Sequence, residues 1–146
     1  MLASELKRGI PMVGEPARVI VRSYRDLAVW QGAMDLAEEA HRLSRRFPRT
    51  ELYGLTAQLK RAALSVPANI AEGHGREHLG DYVRHLSIAN GSLMELETEL
   101  LMAQRLGYLA ADEADAVFKQ TGQVGRMLAG LTGKLKLRLR PPTPHT

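Results

Sequence analysis

The sequence predicts an all-α protein, an antiparallel up-down-up-down four-helix bundle, and three observations predict it. Leu79, Tyr82, Leu86, Ala89, Leu93, Leu96, Leu100 and Ala103 alternate steps of three and four, a coiled-coil-like seam. Three further segments carry a helical apolar period. They are parted by breaks at Pro48, Gly73–Gly75 and Gly107, so the connections are short and successive helices run antiparallel. The composition agrees: 45% hydrophobic and 25% charged residues are ordinary for a soluble domain, and 5% aromatic content suits packing through Leu, Ala and Met.

In order, residues 1–22 hold two prolines and two glycines without a helical period and read as an extension before the folded body. Ala17 to Ser23 alternates loosely and suits a short strand. Ser23 then opens the first helix, with Asp26 three positions on as a capping box. Val29, Ala33, Leu36, Ala40, Leu43 and Phe47 form its main stripe, and Leu27, Trp30, Met34 and Ala37 a neighbouring one. Pro48 ends it, because the residue before a proline avoids the helical region. The second helix begins near Thr50 or Glu51, carries Pro67 inside it as a kink, and stops at Gly73 and Gly75. Gly107 sits where a C-terminal cap for the third helix belongs. Asp112 and Glu113 place negative charge in the first turn of a fourth helix. Its seam is Val117, Thr121, Val124, Leu128, Leu131 and Leu135. Gly122, Gly125, Gly130 and Gly133 weaken this helix and are tolerable where another helix packs closely. The bundle is thus read as residues 23–137, followed by a basic, proline-rich tail over 138–146. Within KLKLRLR, residues 134–140, the strict alternation suits a strand, a membrane-surface segment or a disordered basic tail; a strand there would pair with Ala17–Ser23.

The second helix organises the rest. Leu52, Leu55, Leu59, Ala62, Val66 and Ile70 form its apolar seam, while Ala57, Leu64, Ala68 and Ala71 form a small-residue face about half a turn away. Between them Gln58, Arg61, Ser65, Asn69 and Glu72 fall in one arc of roughly 80°. A surface helix needs one apolar stripe and a solvated back, and here only Thr56 and Lys60 interrupt the back. The expectation is a helix covered on two sides, by its own core and by a second copy of the chain. Ser92 and Glu95 on the third helix, with Glu99 beside them, extend the polar arc into a network that sets helix register.

Function classes are bounded next. The absence of cysteine removes disulfides, thiolate metal sites and cysteine nucleophiles, and fits a reducing cytoplasm. No apolar run approaches the roughly 20 residues of a membrane span, and no signal-peptide core stands at the N-terminus. The net charge of +4 is concentrated at the two ends, with four basic residues and no acid after residue 132. Arg42, Arg45, Arg46 and Arg49 at the first connection, with Lys134, Lys136, Arg138 and Arg140, are the candidate contacts to nucleic-acid phosphates. Aromatics for base stacking are not interleaved with them, so such binding would be electrostatic.

Catalytic and metal patterns are thinner. Ser65 has no histidine in its helical neighbourhood to act as a base. Glu38-x-x-His41 is half of a di-metal bundle site, and the chain has no second Glu-x-x-His. His74, His78, Asp81 and His85 have spacings that present ligands on one face, the alternative reading of the chain as a metal- or small-ligand-binding bundle. The favoured reading is non-enzymatic and calls for no cofactor.

The segments SYRDLAVWQ (23–31), FP (47–48), ELYGLTAQLKRAALSVPANIAEG (51–73), IANGSLMELET (88–98) and LGYL (106–109) together resemble one family. It is the four-helix-bundle proteins of intervening sequences in bacterial large-subunit ribosomal RNA genes. The resemblance covers residues 23 to about 132. It implies a homopentamer with no established enzymatic activity, and a distant branch serves as the accessory protein of diversity-generating retroelements, binding a reverse transcriptase and nucleic acid. The N-terminal 22 residues and the basic tail exceed the usual family core, and His78 stands where many relatives carry a capping serine. Expected partners are therefore further copies of the chain, RNA or DNA, and a reverse transcriptase.

Overall fold

A computed structural model describes residues 20–141 and Pro144. Most of the 1–22 extension, Ala17 to Arg18 and Val19 of the loose strand, and most of the final PPTPHT lie outside the described residues. Four helices account for the rest: α1 Ala28–Ser44, α2 Leu55–His74, α3 Leu79–Arg105 and α4 Ala111–Leu139. Short 3-10 turns precede α1 (Tyr24–Asp26) and α2 (Arg49–Glu51). Each helix packs on its neighbour in sequence, and α4 returns to pack on α1, closing a ring of four. The order is antiparallel throughout. Ser65 of α2 meets Ser92 of α3 while Gly73 meets Tyr82, and Arg46 at the end of α1 meets Glu113 at the start of α4.

The core is the set of helical seams. Leu86, Ala89, Leu93, Leu96, Leu100 and Ala103 of α3 are all fully buried, as a 3-4 alternation directed at one axis requires. Leu59, Ala62, Val66 and Ile70 of α2 face them, with Val29, Ala33, Leu36, Ala40 and Leu43 of α1 and Val117, Val124 and Leu128 of α4. Gly107 ends α3 at a φ of +80°, with Gly107 N–H bonding Gln104 and Tyr108 N–H bonding Ala103 (2.9 Å). That is the paired hydrogen-bond pattern of a Schellman stop, which favours glycine at the left-handed position.

Several boundaries depart from the sequence expectation. The Ser23/Asp26 capping box forms, but it caps the 3-10 turn; α1 starts at Ala28 with Leu27 ahead of it. After Pro48 the chain makes another 3-10 turn, and α2 starts at Leu55, four to five residues later than expected. Leu52 therefore leaves the seam and is half exposed, beside a Tyr53 that is 93% exposed. Gly73 does not stop α2 but lies buried inside it, and Gly75 is the cap. Pro67 is buried within a helix that continues unbroken on both sides.

KLKLRLR is helical, not a strand or a disordered tail: α4 runs through it to Leu139, beyond the expected limit of 137. No strand occurs among the described residues, and a helix over 134–139 does not supply the second strand of the ribbon expected with Ala17–Ser23. Lys, Leu and Arg are all strong helix formers, and Leu135 remains buried in the core, which holds the helix in place for another turn. Close packing explains only one of the α4 glycines: a Cβ at Gly125 would touch Leu93 at 3.5 Å, whereas Gly130 and Gly133 face open space.

Candidate functional site

Two regions collect the residues singled out in the sequence. The first is the polar edge between α2 and α3. Asn69 donates from Nδ2 to the Ser65 carbonyl (2.8 Å) and to Ser65 Oγ (3.0 Å). Because a carbonyl only accepts, this fixes the amide with Oδ1 toward α3, where His85 Nδ1 donates to it at 3.2 Å. Glu72 Oε2 lies 3.5 Å from the same nitrogen. Ser65 Oγ in turn shares a 2.8 Å bond with Ser92 Oγ. The result is a chain of donors and acceptors, His85–Asn69–Ser65–Ser92, that ties the two helices at one register. Ser65, Asn69 and Ser92 were expected there; His85 was not, having been grouped with a metal alternative.

Further along α3, Glu99 is buried and its Oε2 has no hydrogen-bond partner among the described residues. Burial, and then the like charge of Glu95 one turn away, push its carboxyl up to about 7, with Arg61 of α2 pulling the other way. Gln58, Arg61 and Glu95 are exposed, and Arg61 makes no ion pair with a carboxylate among the described residues. A signal for the missed member, His85, was present: His85, Ser92 and Glu99 recur every seven residues, one column of the heptad.

The metal alternative does not assemble. His85 is held in the α2/α3 chain, His74 sits edge-on to Tyr82 with ring centroids 5.7 Å apart, and His78 is exposed ahead of α3. No group of three or more candidate ligands comes together among the described residues. His41 of the Glu38-x-x-His41 pair hydrogen-bonds the Ala37 carbonyl at 2.8 Å. Its Nδ1 serves the helix.

The second region comprises the two sets of candidate phosphate contacts, which the fold places at opposite ends. Arg46 reaches Glu113 in the first turn of α4, so the first connection and the start of α4 share one end of the bundle. Lys134, Lys136, Arg138 and Arg140 lie at the other end, about 30 Å away at 1.5 Å per residue. Arg42 is committed to Glu39, whose carboxyl its hydrogen bond lowers, while Glu39 raises Arg42 in return. With Arg46 also paired, only Arg45 and Arg49 of that cluster are without an ion pair among the described residues. The helical conformation of residues 134–139 sorts the tail cations into two columns, Lys134 with Arg138 and Lys136 toward Arg140.

Beside these regions, the outer face of α2 is open. Ala57 and Ala71 are partly exposed, Ala68 is exposed, and Leu64 is 56% exposed in the middle of a 20-residue helix. No helix among the described residues is long and apolar enough to cross a membrane.

Among curated proteins, no sequence matches this chain. A similar solved structure is the crystal structure of a protein with unknown function from the S23 ribosomal protein family of Bacteroides thetaiotaomicron VPI-5482. It superposes with a TM-score of 0.67 at 19% identity, over 72% of this chain and 98% of that one. At that identity the likeness speaks for the fold, and it agrees with the four-helix ring. The profile of the 23S rRNA-intervening sequence proteins matches residues 25–130, from the 3-10 turn before α1 to the last third of α4. With the core seams, the Schellman stop and the α2/α3 polar edge all inside that span, the chain belongs to the 23S rRNA-intervening sequence protein family.

Proposed function

We propose that the chain is a non-enzymatic scaffold that assembles as a homopentamer and contacts nucleic-acid phosphates, as an RNA-binding or reverse-transcriptase accessory protein. The observation that carries the assembly is the open α2 face: an apolar stripe with Leu64 at its centre, 56% exposed, is favourable to bury and small enough on either side for close approach of another helix. The number five rests on the family resemblance. For the phosphates, support comes from the α4 end, where Lys134, Lys136, Arg138 and Arg140 stand without ion pairs among the described residues. Repetition in an oligomer multiplies those cations on one assembly, and the family's name points to ribosomal RNA as the first nucleic acid to try. Arg45 and Arg49 would supply a lesser contact at the opposite end.

The test is RNA binding by the full chain across salt concentrations. Replacing Lys134, Lys136, Arg138 and Arg140 by alanine keeps Leu135 in the core, which deleting the segment would not. Affinity that falls steeply with salt, and a shallower slope in the variant, fit the proposal. Binding indifferent to both salt and variant contradicts it.

A further inference from the structure

At the same end of the bundle as the α4 C-terminus, α3 and α4 part to form a groove of about 560 Å³. That lies within the roughly 300–1,000 Å³ of small-molecule sites. The groove is open because α4 presents Ala129 and Gly133 to it one turn apart, and a Cβ at Gly133 would meet nothing within 4 Å. Its floor is apolar, made by Val83 of α3 and Ala129 of α4 over the buried Leu86 and Leu128. Ser87 and Asn90 of α3 and Thr132 of α4 supply two hydroxyls and an amide along the walls. Arg84 of α3 and Lys136 of α4 bring one cation from each helix. The lining holds no acidic side chain, and neither cation is in an ion pair among the described residues.

Each part of the lining selects something. Two cations without a carboxylate favour a group of one or two negative charges, and a guanidinium beside an ammonium suits phosphate oxygens. An apolar floor beneath an amide and two hydroxyls suits a flat body with hydrogen-bonding edges. We propose that this groove binds a nucleotide phosphate, with the phosphate between Arg84 and Lys136 and the base over Val83 and Ala129. A free nucleoside monophosphate and the 5′-terminal nucleotide of an RNA share that chemistry. The inference does not depend on the scaffold reading, because one ligand in one chain satisfies it.

The experiment is calorimetric titration of the full chain with AMP, inorganic phosphate, and a hexaribonucleotide with or without a 5′-phosphate. The expected result is AMP binding tighter than phosphate, weakened at least about tenfold by Arg84→Ala or Lys136→Ala, and abolished by Gly133→Leu, which fills the groove from an exposed position. Lys119→Ala, an exposed cation in the first third of α4 and away from the groove, leaves AMP binding unchanged. A 5′-phosphate preference of the hexamer that Gly133→Leu removes assigns the groove to an RNA terminus; equal binding of the two hexamers assigns it to the free nucleotide. No AMP binding, AMP no tighter than phosphate, or AMP unaffected by Gly133→Leu overturns the proposal. Hexamer binding that survives Gly133→Leu without any AMP binding sinks the groove alone, whereas AMP binding without hexamer binding sinks the nucleic-acid reading alone.

Discussion

Ser65 of α2 and Ser92 of α3 meet hydroxyl to hydroxyl at 2.8 Å, on the line where the covered side of α2 gives way to its open face. Core packing alone lets two helices slide by small steps, since one leucine layer resembles the next. A hydrogen-bonded pair flanked by Asn69 and His85 does not. The polar edge therefore sets the register that carries the Ala57–Ala71 face outward.

Removing the middle of that chain should register as lost stability. Asn69→Ala leaves His85 Nδ1 without its amide acceptor and Ser65 without its side-chain donor. A loss of about 1–3 kcal/mol is expected, read by urea denaturation with an unchanged slope. A variant as stable as the wild type would reduce the edge to decoration.

Two glycines should respond to alanine with opposite signs. At Gly73 a Cβ would lie 2.8 Å from His85 Cβ and 3.2 Å from the Tyr82 carbonyl, so Gly73→Ala must push α2 from α3 and lose about 1–3 kcal/mol. Gly130 faces open space inside α4, and Gly130→Ala should gain up to about 1 kcal/mol from helix propensity. Thermal denaturation of both variants checks the pair.

Glu99 gives a pH dependence with a definite sign. Its carboxyl is raised from 4.5 to about 7 by burial and by Glu95, so between those values the folded chain holds a proton that the unfolded chain has released. Stability from this group is complete below pH 4.5 and is lost as the pH rises toward 7. Melting temperatures across that window should fall for the wild type relative to Glu99→Gln, whose neutral amide does not titrate. Parallel curves would contradict the assignment.

The seams were legible in the sequence because a 3-4 alternation of almost wholly apolar residues fits one face of a helix and no face of a strand. The start of α2 was not, since Pro48 accommodates a 3-10 turn as readily as a helix and Gly54 allows the reorientation that follows. KLKLRLR misled because period two is only a pattern of polarity; its residues favour helix, and Leu135 had a core to enter. At the polar edge Ser65, Asn69 and Ser92 were readable from spacing. His85 was drawn to His78 and Asp81 by nearness in the chain, while its heptad relation to Ser92 and Glu99 was the better guide. The division of the cations also followed from topology, because the first and fourth helices of an up-down-up-down bundle end at opposite poles.

Static light scattering on the full chain, with Leu64→Glu alongside, tests the central claim that a neighbouring copy covers the outer face of α2. The wild type should weigh five times the 16.1 kDa chain, and Leu64→Glu should fall to lower mass with its helical circular dichroism intact. A wild-type mass of one chain, or a Leu64→Glu variant that assembles as the wild type does, would contradict it.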